Sequence, residues 1–158
     1  MYQSTIGGNT AAAIASDVDM ENEKQVVQVL ILDDNNFDRK RLRRIARQTG
    51  IRMEFTDAAS VIAFEKFLDK GQYHLVFIDY RMPDANGIEA IRRLRAHPVN
   101  GNAAAIVVAG ELESQKVAEA FKAGCTDYLS KESLDTKRLR FIALTALEAV
   151  EAAKGIGD

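Results

Sequence analysis

Three aspartates and one lysine carry the chemistry that this sequence could do. Asp33 and Asp34 follow the apolar run Val26-Val27-Gln28-Val29-Leu30-Ile31-Leu32, and Asp79 follows Leu75-Val76-Phe77-Ile78. Lys131 ends the segment Asp127-Tyr128-Leu129-Ser130-Lys131. Carboxylates crowded together repel one another and are costly to keep ionised unless a cation joins them. With oxygen ligands and no nearby His or Cys, the cation that suits them is a hard one, magnesium in particular. An ammonium beside the acids offsets part of their repulsion and can bind an anion arriving at the metal. A carboxylate, a magnesium ion and a lysine together suit a phosphoryl group. The cations neutralise its oxygens, and the carboxylate can accept it as an aspartyl phosphate.

What would bring these residues together is the order of elements. Both apolar runs are rich in branched residues and nearly continuous, the mark of strands buried in a parallel sheet. Strands are expected at about 26–32, 52–56, 74–79, 105–109 and 126–130, and helices at about 36–48, 59–69, 87–96, 113–123 and 135–153. Five strand–helix units make an α/β fold, a doubly wound parallel sheet covered by helices on both faces. Its strands deliver their C-terminal ends to one rim, where ligand crevices form. Asp33, Asp34, Asp79, the Ala109-Gly110-Glu111 segment and Lys131 all fall on that rim, with Asp79 alone at its centre as the candidate nucleophile. The plain alternative is that acids after strands only cap helices, as Asp34 or Asn35 could for the first helix. Capping does not account for Lys131 at the matching position. Gly50, Gly71 and Gly124 are placed to close helices in a left-handed conformation.

Composition narrows the function classes. The chain has 158 residues and a net charge of -2, one cysteine (Cys125) and two separated histidines. That length suits one domain. The charge disfavours nucleic acid as a partner, no apolar run is long enough to span a membrane, and neither a disulfide nor a zinc site can be assembled. A cytoplasmic location is expected. Residues 1–24 offer almost nothing to bury and are expected to form a disordered tail. Residues 25–153 would be the folded domain with an extended last helix, and no room is left for an output domain.

The motifs Leu30-Ile31-Leu32-Asp33-Asp34, Asp79-Tyr80-Arg81-Met82-Pro83 with Gly87, and Gly124 to Lys131 resemble the response-regulator receiver family, the CheY-like proteins of two-component phosphorelays. The resemblance covers about residues 25–150, with 45 positions from Asp34 to Asp79 and 52 from Asp79 to Lys131. It implies a flavodoxin-like three-layer sandwich with strand order 2-1-3-4-5. It also implies that Asp79 accepts a phosphoryl group from a sensor histidine kinase or phosphotransfer protein, in a reaction the domain itself catalyses. Magnesium would be held by Asp34, Asp79 and the main-chain carbonyl of Arg81, with Asp33 acting through water, and Lys131 would contact the phosphoryl group. A downstream protein target would read the phosphorylated state. The runner-up is a pseudo-receiver, a binding module that keeps the fold and signals without phosphate. A small-molecule phosphatase would need a substrate pocket that short loops leave little room for.

Two departures from the family pattern stand out. The usual Thr or Ser at the end of strand four is Ala109, so the hydroxyl that couples phosphorylation to an aromatic switch, here Tyr128, is missing. Lys131 is followed by Glu132 instead of proline, so a trans bond is expected there. Arg81 and Glu111 flank the site and could pair across it, hindering attacking water and slowing hydrolysis. In the first helix, Phe37, Leu42, Ile45 and Ala46 read as the apolar stripe, and Arg39, Lys40, Arg41, Arg43, Arg44 and Arg47 as a solvated basic face. Cys125 reads as a small buried residue, and His74 and His97 as residues without partner carboxylates. In the last helix Leu139, Ile142, Ala143, Ala146 and Val150 form one apolar face, while Phe141, Leu144 and Leu147 point elsewhere. The second face suits a homodimer or partner surface.

Overall fold

Each branched apolar run of the sequence becomes a strand, and each amphipathic stretch a helix. The computed structural model describes residues 26–83, 85–110 and 114–157; the tail expected over residues 1–24 lies outside them. In chain order the elements are β1 (Val27–Leu32), α1 (Asn36–Gln48), β2 (Met53–Ala58), α2 (Val61–Lys70), β3 (Leu75–Asp79), α3 (Gly87–Ala96), β4 (Ala104–Ala109), α4 (Ser114–Ala123), β5 (Asp127–Ser130) and α5 (Thr136–Gly157). The five strands are parallel in the order β2-β1-β3-β4-β5. The order reverses between β1 and β3, and a crevice opens at such a switch point. One feature was not foreseen from the sequence: Arg81–Met82 and Ala85–Asn86 pair as a short antiparallel ribbon between β3 and α3.

Side chains alternate between the faces of the sheet. Val29, Ile31, Phe77, Ile106, Val108 and Leu129 pack with Leu42, Ile45 and Ala46 of α1 and Leu139, Ile142, Ala143 and Ala146 of α5. Leu30, Leu32, Val76, Ile78, Ala105 and Val107 pack with Phe64, Leu68, Ile91, Leu94 and Ala120 on the other face. β3 and β4 are buried along their whole lengths, as strands covered on both faces must be. In α1 the stripe is narrower than expected, because Phe37 is 72% exposed. It lies about 140° around the helix from Leu42, away from the sheet.

Helix ends explain most of the boundaries. Asn35, Ser60 and Asn86 cap α1, α2 and α3, each accepting a hydrogen bond from a main-chain N–H of the first turn. Gly50 (φ +80°) and Gly124 (φ +115°) adopt the left-handed conformation. Gly71 does not; its φ is -147°. There the carbonyls left over at the end of α2 find a side chain: Asn100 Nδ2 donates to Leu68 O (2.8 Å) and Gly71 O (2.9 Å), while its Oδ1 accepts from Tyr73 N (2.8 Å). A left-handed closure is thereby unnecessary.

Candidate functional site

The register of the sheet delivers the acids to one place. Leu32 pairs with Ile78, so the residues that follow, Asp33 and Asp79, leave the sheet side by side. The Asp33 N–H donates to Ala58 O (3.1 Å), extending the ladder one residue past β1. Asp33 Oδ1 accepts the Asn35 N–H (2.9 Å), which turns Oδ2 toward the rim. Asp79 ends β3 with its Oδ1 facing the Arg81 N–H (3.4 Å). Asp33 and Asp79 are only 6% and 5% exposed, whereas Asp34 is open to solvent. One carboxylate oxygen from each of Asp33, Asp34 and Asp79 lies within 4.8 Å of the others.

Lys131 arrives from β5. Its N–H donates to Ala109 O (2.7 Å), and Arg41 Nη1 donates to its carbonyl (2.9 Å), so the backbone is fixed from two sides. Its Nζ reaches Asp38 Oδ2 at 2.8 Å, Asp33 Oδ2 at 3.3 Å and Asp79 Oδ1 at 3.4 Å. Asp38 lies in the first turn of α1 and not at a strand end, so the strand pattern of the sequence does not point to it. The signal was available, because Asp38 lies one helical turn before the inward-facing Leu42.

Electrostatics follow from this crowding. Burial raises the Asp79 carboxyl, and the Asp33 charge raises it further; Lys131 and the Arg81 N–H pull the other way, leaving it at about 6 against an ordinary 3.8. Burial would lower the Lys131 ammonium, but the Asp38 hydrogen bond and the charges of Asp79, Asp33 and Asp38 outweigh that and hold it above its ordinary value. One ammonium thus stands among four carboxylates. The all-oxygen donor set of Asp33, Asp34 and Asp79 fits a hard divalent cation such as magnesium.

The rest of the site answers the other expectations. Arg39, Arg41 and Arg43 are not a solvated face. Arg39 donates to Asp33 O (2.5 Å) and pairs with Asp57 (3.3 Å), which Arg43 also meets (3.3 Å). The strand carbonyls and Asp57 draw these guanidiniums inward. Gly87 is required by close approach: a Cβ there would stand 2.8 Å from Asp79 O and 3.0 Å from Tyr80 Cα. Ala109 is buried and pairs with Ser130 across the sheet, and Ser130 Oγ donates to Gly110 O (3.3 Å). Tyr128 is half-buried, edge-on to Phe121 with ring centroids 6.0 Å apart. Among the described residues no peptide bond is cis, that between Lys131 and Glu132 included. Glu111, and with it the pairing expected with Arg81, lies outside the described residues. Cys125 is buried, which lifts its thiol to about 11. His97 does have a carboxylate partner: Nε2 lies 2.9 Å from Asp69 Oδ1, brought there by the packing of α2 beside α3.

A doubly wound parallel sheet with strand order 2-1-3-4-5, gathering acids and a lysine on its carboxyl rim, defines a CheY-like α/β domain. Residues 29–143 match the family model of the response regulator receiver domain, and the chain belongs to that family, which serves two-component signalling. It is similar to the chemotaxis protein CheY of Thermotoga maritima, 33% identical over 104 residues that cover 66% of this chain and 84% of that protein. It is also similar to the 3',5'-cyclic-nucleotide phosphodiesterase regA of Dictyostelium discoideum, 30% identical over 119 residues, 73% of this chain but 15% of that protein. The chain therefore spans a small part of some relatives. In fold it resembles the receiver domain of a Pseudomonas aeruginosa sensor histidine kinase, whose structure has a magnesium ion coordinated in the active-site cleft. That likeness has a TM-score of 0.69 and 20% identity, covering 78% of this chain and 99% of the other.

Proposed function

We propose that this receiver accepts a phosphoryl group on Asp79 from a phosphohistidine of a sensor histidine kinase or phosphotransfer protein. The observation that carries the reading is the single ammonium of Lys131 within 3.4 Å of both Asp33 and Asp79, beside a third carboxylate that completes a cation-sized cluster. An Asp79 oxygen attacks phosphorus, the P–O bond forms as the P–N bond breaks, and the departing imidazole takes a proton. Lys131 neutralises charge on the transferred group. Magnesium, when bound, would screen the phosphoryl oxygens and the acids; Asp33, Asp34, Asp79 and the carbonyl of Arg81 would hold it. The cavity against Asp33, Asp79 and Lys131 is about 20 Å³, room for a water.

The receiver would signal through protein–protein contact. Among the described residues no helix is long and apolar enough to cross a membrane. A downstream target, or a second copy meeting the last helix, would find Phe121 and Phe141 exposed, 44% and 68% respectively. A second reading, the pseudo-receiver, draws on Ala109, which offers no hydroxyl to a phosphoryl oxygen. Incubation with acetyl phosphate and magnesium followed by intact mass measurement separates the two. One added phosphate, absent in Asp79→Asn, supports the first reading. No uptake from acetyl phosphate or a phosphohistidine donor supports the second.

A further inference from the structure

Asp38 stands outside the metal cluster, yet it makes the shortest contact to the lysine that the phosphoryl group needs. We infer that Asp38 is a positioning residue that competes with the phosphoryl group for Lys131 and so weakens the phosphorylated state. The inference rests on the reading of Asp79 as the acceptor.

The geometry supports competition over simple support. An ammonium has three N–H donors, and Lys131 Nζ is met by three carboxylates, at 2.8 Å from Asp38, 3.3 Å from Asp33 and 3.4 Å from Asp79. The Asp38 contact is the shortest of the three and is a hydrogen bond. A phosphoryl oxygen can reach Nζ only by displacing or sharing one of these partners. Acylation of the phosphate by Asp79 removes that carboxylate's charge, and Asp33 has the metal cluster to serve. Asp38 belongs to neither; it lies in the first turn of α1. Its pair with Lys131 is sheltered, with side-chain exposures of 27% and 22%, so water screens it incompletely. The backbone of Lys131 cannot shift to relieve the competition, because Ala109 O and Arg41 hold it.

The plain alternative is that Asp38 only favours the N-terminus of α1 through the helix dipole. That role changes stability but not anion binding. Beryllofluoride, a phosphoryl mimic, is titrated in the presence of magnesium and followed by fluorine NMR. Asp38→Asn is expected to bind roughly three- to tenfold tighter than the unmodified protein, in line with the coupling of a sheltered ion pair. Asp38→Glu, which keeps the charge, is expected to remain closer to the unmodified protein. In a Lys131→Ala background the gain is expected to vanish, since Asp38 acts through Lys131. Equal or weaker binding by Asp38→Asn, or a gain that survives in Lys131→Ala, overturns the inference and leaves the receiver reading standing. Failure of the unmodified protein to bind beryllofluoride overturns both.

Discussion

The two halves of the rim are built differently. On the acceptor side, where β1 and β3 end, polar atoms hold one another: Asp33 by Asn35, Lys131 by Asp38, Asp33 and Asp79, and the Asp33 carbonyl by Arg39. On the other side, where β4 and β5 end, Ala109 is a buried methyl, Ser130 makes one 3.3 Å hydrogen bond to Gly110, and Tyr128 rests edge-on against Phe121. Fixed charges suit a reaction that must neutralise phosphoryl oxygens. Transmitting the result needs a group on β4 that senses those oxygens, and a methyl cannot donate a hydrogen bond to them. If Asp79 is the acceptor, as proposed, accepting a phosphoryl group and transmitting it are expected to be separable in this chain.

Substitutions can break that contrast in order of expected effect. Asp79→Asn is expected to abolish phosphate uptake, since the amide is not a nucleophile, as intact mass after acetyl phosphate would show. Lys131→Ala should slow uptake by roughly tenfold to a hundredfold at saturating magnesium, the scale of losing one charged contact to a transition state. Gly87→Ala should destabilise the fold by about 1–3 kcal/mol in chemical denaturation, because the new methyl presses on the Asp79 backbone.

The elevated Asp79 carboxyl gives a pH-dependent expectation. Its folded value, about 6, lies above the ordinary 3.8. Its contribution to stability is thus fully present below pH 3.8 and lost as pH rises through 6. Asp79→Asn should consequently be more stable than the metal-free unmodified protein by about 2 kcal/mol at pH 7.5, and no more stable at pH 4. Magnesium should narrow the gap at pH 7.5. Thermal unfolding at the two pH values, with and without magnesium, checks both. The smallest effect belongs to the switch side. Ala109→Thr should enlarge the shift of the Tyr128 ring signals on phosphorylation, which is expected to be slight in the unmodified protein; equal shifts in both would remove the contrast.

Much of this was legible in the sequence because parallel strands buried on both faces must be apolar, and their ends are marked where charge begins. Val27–Leu32 and Leu75–Asp79 stop where the acids begin, and Asp127–Ser130 stops at Lys131, so the strand ends alone place these four residues on one rim. What the pattern could not show were contacts made across helices. Asp38 reaches Lys131 over 93 positions. Arg39 and Arg43 look like solvated charge until β2 places Asp57 beside them. Gly71 promised a left-handed end, but Asn100, 29 positions away, satisfies its carbonyl instead. Side-chain partners distant in sequence leave no periodic trace.

The most direct measurement is chemical trapping of the modified residue. The protein is loaded from a phosphohistidine donor with magnesium, reduced with borohydride, which converts an aspartyl phosphate to homoserine, and mapped by peptide mass. Homoserine is expected at position 79 and unmodified aspartate at positions 33, 34 and 38. Label at any other residue, or none after exposure to the donor, would contradict Asp79 as the acceptor.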